Sequence, residues 1–186
     1  MSKANASAFG EALKRVYALE RKRDVYALVR MLDNPLERTP VLTVRAAAAA
    51  ALGRLGHPVA GEALVAAACD PSHEVRVEAI RALGSVRYKG ATLTLIDALN
   101  DDCLKVRRAA AISLGAISSE EAIPVLRDAL RSSDAWTRLY AAESLASIGD
   151  PTLRELLPKV HSEARFAFSR RKRWRRLERV VGNIRA

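Results

Sequence analysis

Apolar positions fall along this chain in a helical rhythm. Val44, Ala48, Leu52 and Leu55 are spaced by 4, 4 and 3 residues, which puts them on one face of an α-helix. A little further on, Ala60, Leu64 and Ala67 hold one face at steps of 4 and 3. Between the two sets stand Gly56, able to take positive φ where a helix ends, and Pro58, suited to the first turn of the next. The pattern predicts two helices joined by a tight turn. It recurs at a step of 31 residues. Val44-Arg45 is followed by Val75-Arg76, Val106-Arg107 and Thr137-Arg138. Ala48 is followed by Ala79, Ala110 and Ala141, and Leu52 by Leu83, Leu114 and Leu145. Leu55 is followed by Val86, Ile117 and Ile148, and the second helix returns as Ala91, Leu95, Ala98 and as Ala122, Leu126, Ala129. Columns that stay in register over successive copies mark a tandem helical repeat.

The punctuation extends the pattern. Asp70-Pro71 and Asp150-Pro151 read as an N-cap followed by a first-turn proline. Ahead of the clear copies lies a degenerate pair over residues 7–33, with a first helix from about Ser7 to Lys22 and a second within Asp24 to Asp33. A longer loop, Asn34 to Pro40, separates it from the first clear copy. The small alanines on the inner faces let helix backbones come close, so the pairs are expected to stack. The predicted architecture is all-α: a right-handed α-solenoid of about five helical pairs over residues 1–162, clear from about 41 to 162, with a basic helix over 163–186.

The run Asp70, Val75-Arg76, Ala79, Ala82-Leu83-Gly84 and Leu95 resembles the HEAT-like repeats of the phycobilisome-lyase type, from about residue 41 to 160. That resemblance implies that Asp70 with Arg76, and Asp101 with Arg107, hold adjacent helix pairs together. In the fourth copy Ser132 stands at the aspartate's place with Asp134 nearby, so Arg138 is expected to pair differently. It also implies that the second helices line a concave surface. Their positions off the core stripe are Tyr26, Arg30, Glu62, Leu93, Thr94, Asp97, Asp128, Arg131, Glu155 and Lys159. Signs alternate along this set, whereas a groove that wraps DNA carries Lys and Arg throughout. A mixed surface with Leu93 near its middle reads as a protein-binding site.

Composition sharpens the picture at the ends. The chain has 186 residues, a formal net charge of +10, and 34 alanines, the best helix former, against 9 Gly and 7 Pro. Residues 24–162 are nearly neutral, while 1–23 and 163–186 are strongly basic. Within the last stretch Trp174, Leu177, Val181 and Ile184 form an apolar stripe beside Arg170, Arg171, Lys172, Arg173, Arg175 and Arg176. This helix either caps the last repeat or contacts an anionic partner, nucleic acid or an acidic protein surface. An anionic membrane surface ranks last, since the apolar side lacks bulk. No apolar run approaches a bilayer span, the start lacks a signal-peptide core, and two cysteines make no disulfide framework, so the expected location is cytoplasmic.

Chemistry is sparse. His57, His73 and His161 sit at helix ends or loops, and Cys69 and Cys103 form no C-x-x-C. Asp101-Asp102 and Glu120-Glu121 fall at helix starts, where they complement the macrodipole. No phosphate-binding glycine motif is present. The expectation is therefore a non-enzymatic adaptor with no metal or cofactor. Two alternatives stand beside it: a nucleic-acid-associated protein using its basic ends, and, from the family resemblance alone, a bilin-lyase-like enzyme.

Overall fold

The computed structural model describes residues 3–33 and 41–156, with side chains described over 10–33 and 44–156. Every regular element among them is helical, the all-α class that the periodicity predicts. The first helices are α1 (Lys3–Lys22), α3 (Val41–Leu55), α5 (His73–Val86), α7 (Leu104–Ile117) and α9 (Ala135–Ile148). The second helices are α2 (Val25–Leu32), α4 (Gly61–Ala67), α6 (Thr92–Asp97) and α8 (Ile123–Ala129), and helix resumes at 153–156. That order fits five helical pairs. Helix α1 begins at Lys3, a turn earlier than the apolar pattern required. The loop Asn34–Pro40, Lys159 and the basic segment 163–186 lie outside the described residues.

The chain divides into two compact units, Met1–Thr94 and Leu95–Ala186. In the first unit α1, α3 and α5 pack in a row, α2 lies against α3, and α4 against α5. In the second, α7 packs on α9 and α8 on α9. The columns read from the sequence form these cores: Ala48, Leu52, Ala79 and Leu83 are sealed from solvent in one unit, and Ala110, Leu114, Ala141 and Leu145 in the other.

Close approach of the first helices rests on glycine. A Cβ at Gly53 would stand 2.8 Å from Ala82 Cα, and one at Gly115 would stand 2.5 Å from Ser144 Oγ. The buried Ser144 hydroxyl in turn donates to the Ala111 carbonyl at 2.6 Å, which satisfies a polar group the core would otherwise strand.

Each clear first helix ends in one left-handed residue, at the same place in the repeat: Gly56 (φ 68°), Arg87 (φ 55°), Ser118 (φ 52°) and Gly149 (φ 92°). The expected positive φ at Gly56 is present, and two other copies adopt it without a glycine. The second helices α4, α6 and α8 each start with a short 3₁₀ turn, as at Pro58–Ala60, where the His57 Nδ1 accepts from the Val59 amide at 3.3 Å. Pro58 opens that turn as its rigid φ favours.

One local expectation is corrected. Asp70 is not the N-cap of α5, which is Ser72. Asp70 lies two residues earlier, and its Oδ1 accepts the Ser72 amide at 2.8 Å. Asp150 does the same for the Thr152 amide at 3.1 Å. Each aspartate folds the loop rather than starting the helix, because a carboxylate followed by proline pairs most readily with the amide two residues on.

Candidate protein-binding surface

In the first unit the exposed positions follow from which face each second helix buries. Helix α2 is capped by Asp24, which accepts from the Ala27 amide, and turns Val25, Ala27, Leu28 and Leu32 inward. Tyr26 and Arg30, four residues apart, are left on the outer side, with Tyr26 69% exposed. On α6, Leu93 is 71% exposed and Thr94 half-buried. Glu62 on α4 is exposed but engaged, since it accepts the Tyr88 hydroxyl. The Tyr88 ring lies over Gly61, where a Cβ would meet it at 2.5 Å. That hydrogen bond, with some desolvation and the Glu62 charge, holds the Tyr88 phenol above its ordinary pKa. Helix α4 lies beside both α2 and the turn Lys89–Ala91 that precedes α6, so these positions belong to neighbouring elements.

In the second unit Asp97, Asp128, Arg131 and Glu155 are exposed. Asp128 and Arg131 face each other at 3.5 Å. Both line an open cleft of about 510 Å³, together with Leu99, Arg107, Val125 and Ser132. The structure thus gathers Asp128 and Arg131 at one place. Apolar exposure is not confined to second helices: Tyr17 on α1 is 51% exposed and Ile112 on α7 is 46% exposed.

Three members of the arginine column hold the loop ahead of their own helix. The Arg76 Nη1 donates to the carbonyls of Asp70 and Pro71 at 3.0 and 3.2 Å. Arg107 donates likewise to the carbonyls of Asp101 and Asp102, and Arg138 to those of Ser132 and Ser133 at 2.5 and 3.1 Å. Each guanidinium holds the loop that leads into its own helix, so Arg76 and Arg107 contact the main chain of the expected aspartates rather than their carboxylates. Arg138, expected to differ, makes the same pair of bonds as the others.

Bridging to a carboxylate of the next helix pair is made within the column by Arg45 and outside it by Arg108 and Arg127. Arg45 grips the Asp70 carboxylate with Nε and Nη2, both at 3.0 Å. Arg108 grips Asp134 at 2.8 and 2.6 Å, and Arg127 grips the buried Asp150 at 2.9 and 2.6 Å. The Arg108 bond holds the Asp134 carboxyl well below the usual carboxylate range, against the opposing effect of burial, and the Thr137 hydroxyl and amide add to it. The Arg127 bond likewise lowers Asp150, with smaller contributions from Thr152. Sequence reasoning placed Arg45 in the repeating arginine column without naming its partner, and missed Arg108 and Arg127. The available signal was an aspartate in the next loop, 25 residues after Arg45 and 26 after Arg108.

Among the described residues no three His, Cys, Asp or Glu side chains gather as metal ligands. Cys69 is exposed and Cys103 half-buried, both as free thiols. No helix among them is long and apolar enough to cross a membrane.

Stacked two-helix units with a left-handed cap at each first helix define an all-α repeat protein. Its kind is given by sequence: the HEAT-repeat profile matches residues 36–103 and 92–167, and the chain belongs to the HEAT-repeat family. Solved structures share the fold. The complex of CpcE and CpcF of phycocyanin lyase from Nostoc sp. contains a chain with a TM-score of 0.68 and 20% identity, covering 100% of this chain and 91% of that one. An engineered protein aligns with a TM-score of 0.61 and 22% identity, covering 92% of this chain and 83% of its own. The YibA protein of E. coli aligns at 0.55 and 17%, over 89% and 70%. At these identities the likeness is one of fold, and it agrees with the phycobilisome-lyase type of repeat read from the sequence. No curated protein sequence matches the chain.

Proposed function

We propose that this chain is a non-enzymatic adaptor that binds another protein through the outward positions of its second helices. The observation that carries this reading is the exposure of Tyr26 and Leu93, at 69% and 71%, on helices whose inner leucines are buried. Isolated apolar side chains are common at protein surfaces, but an aromatic and a leucine at this exposure, among mixed charges, match the composition of interface centres. Repeat folds supply a self-supporting core and leave such faces free for partners. The Nostoc sp. relative in fold is itself solved as a complex of two proteins, which supports partnering by this kind of chain.

The test is affinity capture with the full chain, before and after nuclease treatment, against the double variant Tyr26→Lys, Leu93→Lys. Both positions lie off the buried stripe, so helical circular dichroism is expected to persist. A partner retained through nuclease treatment and lost in the double variant is the expected result. Undiminished capture by the variant would place the binding surface elsewhere.

A bilin-handling role is the second reading, favoured by the fold shared with a phycocyanin lyase subunit. Absorbance above about 350 nm in protein purified from bilin-producing cells tests it.

A further inference from the structure

Three loops precede first helices at equivalent positions, and in each a side-chain oxygen accepts the amide two residues on. Asp70 Oδ1 accepts from Ser72 at 2.8 Å, Asp101 Oδ1 from Cys103 at 2.8 Å, and Ser132 Oγ from Asp134 at 3.2 Å. The Asp70 carboxylate also takes the Nε and Nη2 of Arg45, which lies 25 residues before it. The same offset back from Ser132 reaches Arg107. Serine keeps the loop-folding half of the aspartate's role and lacks the carboxylate half. Arg107 uses Nη1 on the carbonyls of Asp101 and Asp102, as Arg76 and Arg138 do on theirs, and among the described residues no carboxylate takes its Nε and Nη2. The neighbouring Arg108 supplies the bridge between helix pairs instead, through Asp134, so the second unit holds together without using Arg107's fork.

The place where the carboxylate would stand is open. Arg107 and Ser132 both line the cleft of about 510 Å³ in the second unit, with Arg131, Ser133 and Thr137 around them. Arg131 adds a second cation, and its own partner Asp128 lies at 3.5 Å on the exposed rim. Leu99 and Val125 give the cleft an apolar wall. A half-buried guanidinium whose planar fork takes no carboxylate among the described residues matches a carboxylate in shape as well as charge.

We propose that this cleft binds a carboxylate presented by a protein partner, an Asp or Glu side chain or a chain terminus, which completes on Arg107 the pair that Asp70 makes with Arg45. The proposal rests on the adaptor reading and gives the partner a chemistry.

The first measurement uses the full chain and follows arginine Nε–H resonances by NMR while adding the tripeptide acetyl-Gly-Asp-Gly-amide. The expected result is a saturable shift at Arg107 with a dissociation constant on the order of millimolar, as suits one charge-assisted contact. The Asn analogue should produce no saturable shift. Inorganic phosphate binding more tightly than the Asp peptide would overturn the carboxylate assignment, as would no shift at Arg107.

Ser132→Asp fills the position from within. It is expected to weaken peptide binding at least about tenfold and to raise the melting temperature. Arg107→Lys keeps the charge but loses the fork, and should weaken binding to a similar degree, read at the Ser133 amide. Equal peptide affinity in both variants and the parent would refute the site. Partner capture separates the two readings. Capture lost in Ser132→Asp supports the proposal. Capture kept in Ser132→Asp but lost in Tyr26→Lys, Leu93→Lys overturns it and leaves the adaptor reading standing.

Discussion

Placing a single methyl group at residue 53 tests how closely the first helices are drawn together. The Cβ of Gly53→Ala would stand 2.8 Å from Ala82 Cα and 2.9 Å from its Cβ, whereas carbon atoms rest at about 3.5–4.0 Å. The obstacle is backbone on α5, so no rotamer change removes it. Relief requires α3 and α5 to part by about 1 Å, across a face where Ala48, Ala49, Leu52, Ala79 and Leu83 are sealed from solvent. Overpacking a core of this density against backbone, which cannot swing aside, falls in the upper part of the usual range, about 2–3 kcal/mol. Alanine's better helix propensity offsets about 1 kcal/mol of that. The net expectation is a loss of about 1–2 kcal/mol, or about 3–6 °C in Tm for a chain of this length. Gly10→Ala provides the internal comparison. Gly10 lies within α1 and a Cβ there meets nothing within 4 Å, so the propensity gain stands alone and should stabilise by about 0.8 kcal/mol. Thermal and urea unfolding followed by far-ultraviolet circular dichroism reads both variants. If Gly53→Ala melted with the parent or above it, α3 and α5 would not be in backbone contact and the glycine column would have no packing role.

Other perturbations follow from the caps and ion pairs. Ser118→Gly should stabilise by about 0.5–1 kcal/mol and Gly149→Ala should destabilise by about 1 kcal/mol, because both residues are left-handed; opposite signs in parallel melts check this. Arg127→Met strands the buried Asp150 carboxylate and should cost about 2–4 kcal/mol at pH 7, measured by urea unfolding. The folded-state pKa values of Asp134 and Asp150 are lowered, chiefly by Arg108 and Arg127, and that of Glu20 by Arg54, whose Nε and Nη2 both donate to it. Such groups contribute stability above the unfolded carboxylate range, and it is lost as pH falls through the lower folded values. Stability should therefore decline from about pH 4 downward, and Asp134→Asn should lie below the parent at pH 7 yet converge with it in strong acid; parallel curves at every pH would contradict the assignment.

The repeat made the fold legible from sequence. A step of 31 residues and four columns placed the first helices, the buried Leu52, Leu83, Leu114 and Leu145, and the left-handed end at Gly56, because helical periodicity and chain-end chemistry are local properties. Left-handed φ at Arg87 and Ser118 was not legible, since neither residue type announces it; the repeat imposes the turn and the residue accepts the strain. Outward positions such as Tyr26 and Leu93 were also legible, as they are simply those off the apolar stripe.

Only tertiary structure decided which charged groups meet. The family resemblance pairs Asp70 with the arginine six residues on, yet Arg76 takes the main-chain carbonyl and Arg45 takes the Asp70 carboxylate. The choice depends on which side of the loop faces the preceding helix, and that is set by packing rather than by distance along the chain. Hydrophobic pattern is read one residue at a time and survives translation along a helix. A guanidinium at the end of a long side chain reaches several acceptors, and the loop brought beside it by close helix contact determines which one it binds.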